Sequence, residues 1–307
     1  MDTDFDTFPT MHASANASSS TLRASRSTVR LGSSAAGGPG RAAASLAAST
    51  SVAGIHTGAW AARLRDAIEN RLFLLHYQPI IGLHDGRVSH YEALLRLADG
   101  PRGELVAPGD FLGAAERCGL IVEIDRMVLD EAIALLGAEL ADRRTPVAVN
   151  LSALSVAGEG TLAHLARLLR RHEVDPRRLI VEVTETAAIT DMAAAQAFCE
   201  DVRALGCAVA LDDFGVGFGS FRYLKRLPFD YLKIDGDFVR GLVDSHNDQL
   251  VVQALVRVAQ GMGKRTIAEY VGDQRTVRLL RTYGVDFGQG FGIGRPRAPL
   301  ELFAAAA

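Results

Sequence analysis

From about Gly58 to residue 303, short runs dense in Val, Ile, Leu, Phe and Tyr alternate with longer segments whose apolar residues recur every three or four positions. The first kind predicts buried strands and the second amphipathic helices. Eight strand-like runs follow in order: LLHYQPII, HYEALLRL, PVAVNLS, LIVEVTE, AVALDDF, DYLKID, RTIAEYV and FGQGFGIG. Helical patterns over 108–117, 124–141, 161–172, 187–205, 248–262 and 274–283 separate most of them. About 245 residues with that rhythm predict an α/β fold, a TIM-like (β/α)8 barrel. One join departs from the rhythm. Between the first two runs lies only GLHDGRVS, which holds an Asp-Gly turn and is too short for a crossover helix. The first strand is therefore expected to run antiparallel to the second, making the barrel irregular at that edge.

Polar residues sit where such a barrel gathers its functional groups, at the carboxyl ends of the strands. The second run offers Glu92 with Arg96, the third Asn150, the fourth Glu182 with Glu185, the fifth Asp212 and Asp213, the sixth Lys233 with Asp235, the seventh Glu269 and the last Gln289. Their apolar neighbours, among them Val181, Val183, Leu211 and Ile234, place them in buried segments, where isolated carboxylates are costly. Several acids buried together demand cations. Glu92, Asn150, Glu182 and Asp212 are hard oxygen ligands, so magnesium or manganese is the expected metal. Adjacent strand residues normally face opposite ways, but the glycines after Phe214 let the strand end there. Asp212 and Asp213 are then expected to turn toward one site, Asp212 bridging two ions and Asp213 reaching the second.

Composition narrows the partners. A net charge of -3 over 307 residues provides no basic face for polymeric nucleic acid, so any phosphate chemistry belongs in a pocket. Three cysteines without CxxC spacing argue against a disulfide framework or a zinc site and fit a reducing cytoplasm. No apolar run approaches a membrane span, and MDTDFDTFPT lacks the basic-then-apolar order of a signal peptide. Residues 1–58, rich in Ser, Ala and Gly, are expected to be a disordered tail, and 59–303 the folded domain.

The motifs YEALLR (91–96), VNLS (149–152), EVTE (182–185), DDFGVGFGSF (212–221), YLKID (231–235) and QGFGIGRP (289–296) resemble the EAL-domain family, with HYQPI (76–80) and LPFDYLKIDGDFV (227–239) in family order. The resemblance implies a phosphodiesterase that opens cyclic di-GMP to linear pGpG with two divalent cations, Mg2+ or Mn2+. By position, Glu92, Asn150, Glu182 and Asp212 match the first-metal ligands. Asp212, Asp213 and Glu269 match the groups serving the second, and Lys233 matches the residue contacting the attacking water. Those roles make chemical sense, since two cations depress the pKa of a shared water and offset charge on the phosphate. Glu269 serves as ligand or general base, and the residues alone leave both open. Gln78, Arg96, Asp235 and Gln289 are expected to contact substrate, Arg96 through its guanidinium fork. Glu185 matches a residue that anchors the loop after AVALDDF, which in the family couples the site to a homodimer contact. Departures from the common pattern are Val216, Tyr270 and Gly272. Gly272 lacks a carboxylate three residues beyond Glu269, and a catalytically weak or inactive cyclic di-GMP receptor is the alternative reading.

Overall fold

The computed structural model describes residues 58–99, 104–138, 144–215 and 224–303. The expected tail, Val216 and most of the glycine-rich loop following Phe214 lie outside them. Nine strands form one sheet: β1 (Phe73–Gly82), β2 (Val88–Asp99), β3 (Glu104–Val106), β4 (Val147–Leu151), β5 (Leu179–Thr184), β6 (Ala208–Phe214), β7 (Tyr231–Ile234), β8 (Arg265–Ala268) and β9 (Phe287–Gly288). Their order, β1-β9-β8-β7-β6-β5-β4-β2-β3 with β1 also paired to β2, closes an eight-stranded barrel and leaves β3 as a flap beside β2. β3 is the one strand that periodicity misses, because a Glu-Leu-Val stretch is too short to show a period.

The eight expected runs all contribute to the barrel, and β1 runs antiparallel to both its neighbours, β2 and β9. Gly86, at φ 67°, takes the left-handed conformation that closes the β1–β2 turn, and Asp85 Oδ1 accepts from the Arg87 N–H at 3.0 Å. The helical reading holds at 108–117 and 274–283. At 187–205 a single helix was expected. Asp191 instead ends Glu185–Thr190 and caps Met192–Ala204 through the Ala194 N–H, since its short carboxylate competes for backbone donors.

Two layers of side chains fill the barrel. The lower is sealed: Ile80, Ala148, Ile180, Ala210, Tyr231 and Ile267 form one buried cluster, with Phe287 packed against it. His90 joins that floor, its ring 5.6 Å from Tyr231 and 5.9 Å from Phe287. Burial pushes the His90 imidazole down to about 3, with Lys233 adding to the shift, so it is neutral at ordinary pH. Strand side chains alternate, so the residue two positions on returns to the interior one layer higher. Stepping two residues from His90, Ala148, Ile180, Ala210, Tyr231, Ile267 and Phe287 gives Glu92, Asn150, Glu182, Asp212, Lys233, Glu269 and Gln289. On β1, which runs the other way, the matching step from Ile80 goes backwards to Gln78. Helices pack outside, where Leu129, Ile133, Leu136, Val202, Leu255 and Val256 are buried in the main core.

Candidate active site

Lys233 stands at the centre of the upper layer. Its ammonium lies 2.7 Å from Glu182 Oε2, 2.9 Å from Glu269 Oε1, 3.0 Å from Asp212 Oδ1 and 3.6 Å from Glu92 Oε2, and the side chain is only 1% exposed. Burial opposes its charge, but the surrounding carboxylates, Asp212 and Glu182 foremost, outweigh it and hold the lysine protonated well above its ordinary pKa. One cation thus faces four carboxyl groups in a buried layer, more than it can keep ionised together.

The carboxylates divide according to their other partners. Burial opposes ionisation of Glu92, but Lys233 and two amides prevail, so its pKa is lowered. Those amides are Asn150 Nδ2, which donates to Oε1 at 2.6 Å, and Gln289 Nε2, which donates to Oε2 at 2.6 Å. Glu182 and Asp212 go the other way. Burial first, then the neighbouring Glu92 charge, raises Glu182 well above its usual range, and burial raises Asp212. Burial likewise pushes Glu269 up to about 8.

The donor set fits hard divalent cations. Carboxylate oxygens of Asp212, Asp213 and Glu269 lie within 4.8 Å of one another, close enough to share an ion. Among the described residues Glu182 Oε1 has no hydrogen-bond partner, and burying it so costs free energy unless a ligand meets it. Asn150 uses only its amide nitrogen on Glu92 and keeps its carbonyl oxygen for another contact. Two ions would also let these carboxyl groups ionise together.

Asp212 and Asp213 meet at the site for a different reason than the glycines suggested. Strand β6 continues through Phe214, and between Leu211 and Phe214 its register against β7 slips, with Leu211 opposite Leu232 and Phe214 opposite Ile234. The extra residue is a β-bulge. Asp213 takes φ 55°, a left-handed conformation Asp tolerates better than most residues, and its N–H donates to the Asp212 carboxylate at 2.9 Å. Partial desolvation and the Asp212 charge push Asp213 up to about 6.

A cavity of about 650 Å³ opens over this layer, bordered by Arg96, Asp235, Arg240, Tyr270, Gly272 and Phe291 among others. Arg96 reaches it with its Nη1 donating to the Leu95 carbonyl at 2.7 Å. Asp235 also caps the short helix Gly236–Val239 by accepting from the Asp237 N–H at 2.6 Å. Gln78 and Gln289 lie lower, and Gln289 Nε2 donates to Gln78 Oε1 at 3.1 Å while Gln78 Nε2 donates to the Gly294 carbonyl at 2.8 Å. Gln289 braces Glu92 directly and Gln78 steadies Gln289, and both amides also line the cavity. Glu185 stands apart from the metal-facing layer, 3% exposed, with Oε2 accepting from the Gly215 N–H at 3.2 Å, so it ties the start of its helix to the end of β6. Around Gly272 there is room, since a Cβ there would meet nothing nearer than the Tyr270 carbonyl oxygen at 4.0 Å. Sequence reasoning did not single out Arg240, Tyr270 or Phe291 as parts of the site. The signal was the position of Tyr270 and Phe291 one and two residues beyond polar strand-end groups.

The sequence matches the EAL domain family over residues 61–296. It is 38% identical over 247 residues to the cyclic di-GMP phosphodiesterase PdeB of Shewanella oneidensis, an alignment covering 80% of this chain and 28% of that protein. To the bifunctional diguanylate cyclase/cyclic di-GMP phosphodiesterase MucR of Pseudomonas aeruginosa it is 39% identical over 246 residues, covering 80% and 36%. The chain therefore spans about a third of the length of these curated relatives. Among solved structures, the PaMucR phosphodiesterase in complex with c-di-GMP superposes with a TM-score of 0.74 at 39% identity, covering 78% of this chain and 97% of that one. The FimX EAL domain from Pseudomonas aeruginosa bound to c-di-GMP gives 0.71 at 32% identity, covering 77% and 95%. With the motifs on the expected strand ends and most of the chain inside the matched span, the chain belongs to the EAL domain family.

Proposed function

We propose that this protein hydrolyses cyclic di-GMP to linear pGpG with the aid of two divalent cations, magnesium or manganese. One observation carries the reading: a buried ring of four carboxylates around one lysine, joined by Asp213 at the mouth, beneath a cavity large enough for a nucleotide. The relatives named as cyclic di-GMP phosphodiesterases support the substrate. Glu92, Asn150, Glu182 and Asp212 would hold one cation, and Asp212, Asp213 and Glu269 the other. When bound, such a pair lowers the pKa of water and offsets the charge that builds on the phosphate.

In the reaction, a water oxygen bonds to phosphorus as the bond from phosphorus to the ribose 3′ oxygen breaks. The 5′ phosphate stays on the product and the 3′ oxygen takes up a proton. Lys233, whose ammonium lies amid these carboxyl groups, would orient the water. Glu269, 2.9 Å from Lys233 Nζ, would hold the second cation and stands where a carboxylate can also pass the proton between the two oxygens. Arg96 and Asp235 face the cavity and contact the nucleotide, while Gln78 and Gln289 keep Glu92 oriented.

A homodimer belongs to the same reading, as the family resemblance implies, and the Glu185 link to Gly215 is where its contacts would reach the site. Free thiols at Cys118, Cys199 and Cys207 are consistent with a cytoplasmic protein. Control of biofilm and motility is the process such an activity would serve. Incubating the protein with cyclic di-GMP and Mg2+ or Mn2+, and following pGpG by chromatography, tests the reading. Product is expected, lost with EDTA and in Glu92→Ala. Tight nucleotide binding without product would favour a receptor, and neither binding nor product would overturn both.

A further inference from the structure

Two large aromatic side chains stand exposed at the mouth of the cavity, Tyr270 at 56% and Phe291 at 64%. Tyr270 is the more constrained. It follows Glu269 directly and holds φ 50°, a left-handed conformation that costs a bulky residue about 1–2 kcal/mol. Its ring lies on the helix Gly236–Val239. A Cβ on Gly236 would fall 2.0 Å from the Tyr270 ring, so only glycine admits the ring there. One helical turn on, the Arg240 guanidinium sits 4.0 Å from the ring centroid. Gly236 and Arg240 share one side of that turn. A ring so laid down and still 56% exposed has its other side open at the cavity.

We propose that Tyr270 is a stacking shelf for one guanine base of the dinucleotide, with Gly236 admitting the ring and Arg240 holding it flat. The inference rests on the cyclic di-GMP reading above and adds to it the group that receives the base. Purine rings stack on tyrosine without needing hydrogen bonds, and a ring already immobilised by Arg240 loses little freedom when the base arrives. The backbone strain at Tyr270 is then maintained for a contact made only with ligand.

Steady-state kinetics of wild type, Tyr270→Gly and Tyr270→Phe, each with a thermal melt, test the shelf. Glycine removes the ring and also relieves the backbone, so Tyr270→Gly folds with an undiminished melting temperature. KM is expected to rise about tenfold with kcat changed less than about threefold, the scale of one lost base stack. Tyr270→Phe, which keeps the ring, should bring KM back to within about twofold of wild type. A wild-type KM in Tyr270→Gly, or a fall confined to kcat, would overturn the shelf and leave the phosphodiesterase reading standing. If wild type makes no pGpG, the failure belongs to that reading, and cyclic di-GMP affinity measured by calorimetry on the same variants then decides the shelf. A tenfold weaker Kd in Tyr270→Gly would support it, and equal or absent binding would overturn it.

Discussion

Lys233 Nζ and Glu182 Oε2 are 2.7 Å apart, with side chains 1% and 0% exposed. A pair so sealed contributes little net stability while both members are present, since the cost of removing two charges from water offsets their attraction. Removing one member is another matter.

Lys233→Met is therefore expected to lose turnover by at least about a hundredfold and to destabilise the metal-free protein by roughly 3–5 kcal/mol, because it leaves Glu182, Asp212, Glu269 and Glu92 without their shared cation. Urea denaturation in EDTA measures the second effect. Adding Mn2+ should recover more stability in the variant than in wild type, as ions replace the missing charge. Equal recovery would mean that the ions do not replace the lysine charge, and no recovery in either protein would mean that the carboxylates hold no metal.

His90 provides a pH dependence of stability. Its folded pKa, about 3, lies below the ordinary value of 6.5, so between those values the unfolded chain binds the extra proton and stability is lost as pH falls. His90→Phe removes that contribution. The stability difference between variant and wild type, from urea curves at pH 7 down to 4.5, should shift in favour of the variant by up to about 1.4 kcal/mol per pH unit below 6.5. A difference independent of pH would show that His90 is not buried in its neutral form.

Gly290 is a position of close backbone approach. A Cβ there would fall 2.3 Å from both the amide nitrogen and the carbonyl oxygen of Val271. Gly290→Ala must push apart two segments joined by the Val271 N–H donating to the Gln289 carbonyl at 2.9 Å and the Gly292 N–H donating to the Val271 carbonyl at 2.9 Å. A loss of roughly 1–3 kcal/mol is expected by chemical denaturation, with a larger relative loss of activity since Glu269 and Gln289 border the strained loop.

Gly272→Glu tests the one missing carboxylate. The backbone there has space for a side chain, so the melting temperature should hold within about 2 °C. If a carboxylate beside the second ion strengthens its binding, half-maximal activity should be reached at a severalfold lower Mn2+ concentration. An unchanged metal requirement would show that the glycine costs the site nothing.

The barrel and its active layer were legible because both follow from one alternation. Ala148 before Asn150, Ile180 before Glu182, Ala210 before Asp212 and Ile267 before Glu269 each pair an apolar floor residue with a polar one on the same strand face. The short GLHDGRVS join exposed the reversed β1 in the same way. The bulge at Asp213 was not legible, because an added residue in a strand is defined by its partner's register, and β7 lies some twenty residues away. Nor was the bracing by Gln78 and Gln289, whose contact joins residues 211 apart in the chain. Tyr270 is visible in the sequence only as a departure from pattern, since its ring meets Gly236 and Arg240 beyond the end of the neighbouring strand.

The junction of β1 with β9 has a temporal consequence. It comprises only Ile81 opposite Gly288 and Gly82 opposite Phe287, with Tyr77 and Arg297 forming an isolated bridge nearby, whereas β1 meets β2 over nine residue pairs. β9 pairs with β8 over only two residues as well, so it is the thin stave of the cylinder, and it is the last barrel strand along the chain. Until it shuts, Glu92 lacks the amide of Gln289, so a nascent protein with the rest of the polar layer in place remains incomplete. In the finished protein the same strand is where the sheet's amide hydrogens should exchange soonest, and anything that clasps residues 287–297 against β1 would hold the polar layer around Lys233 in register.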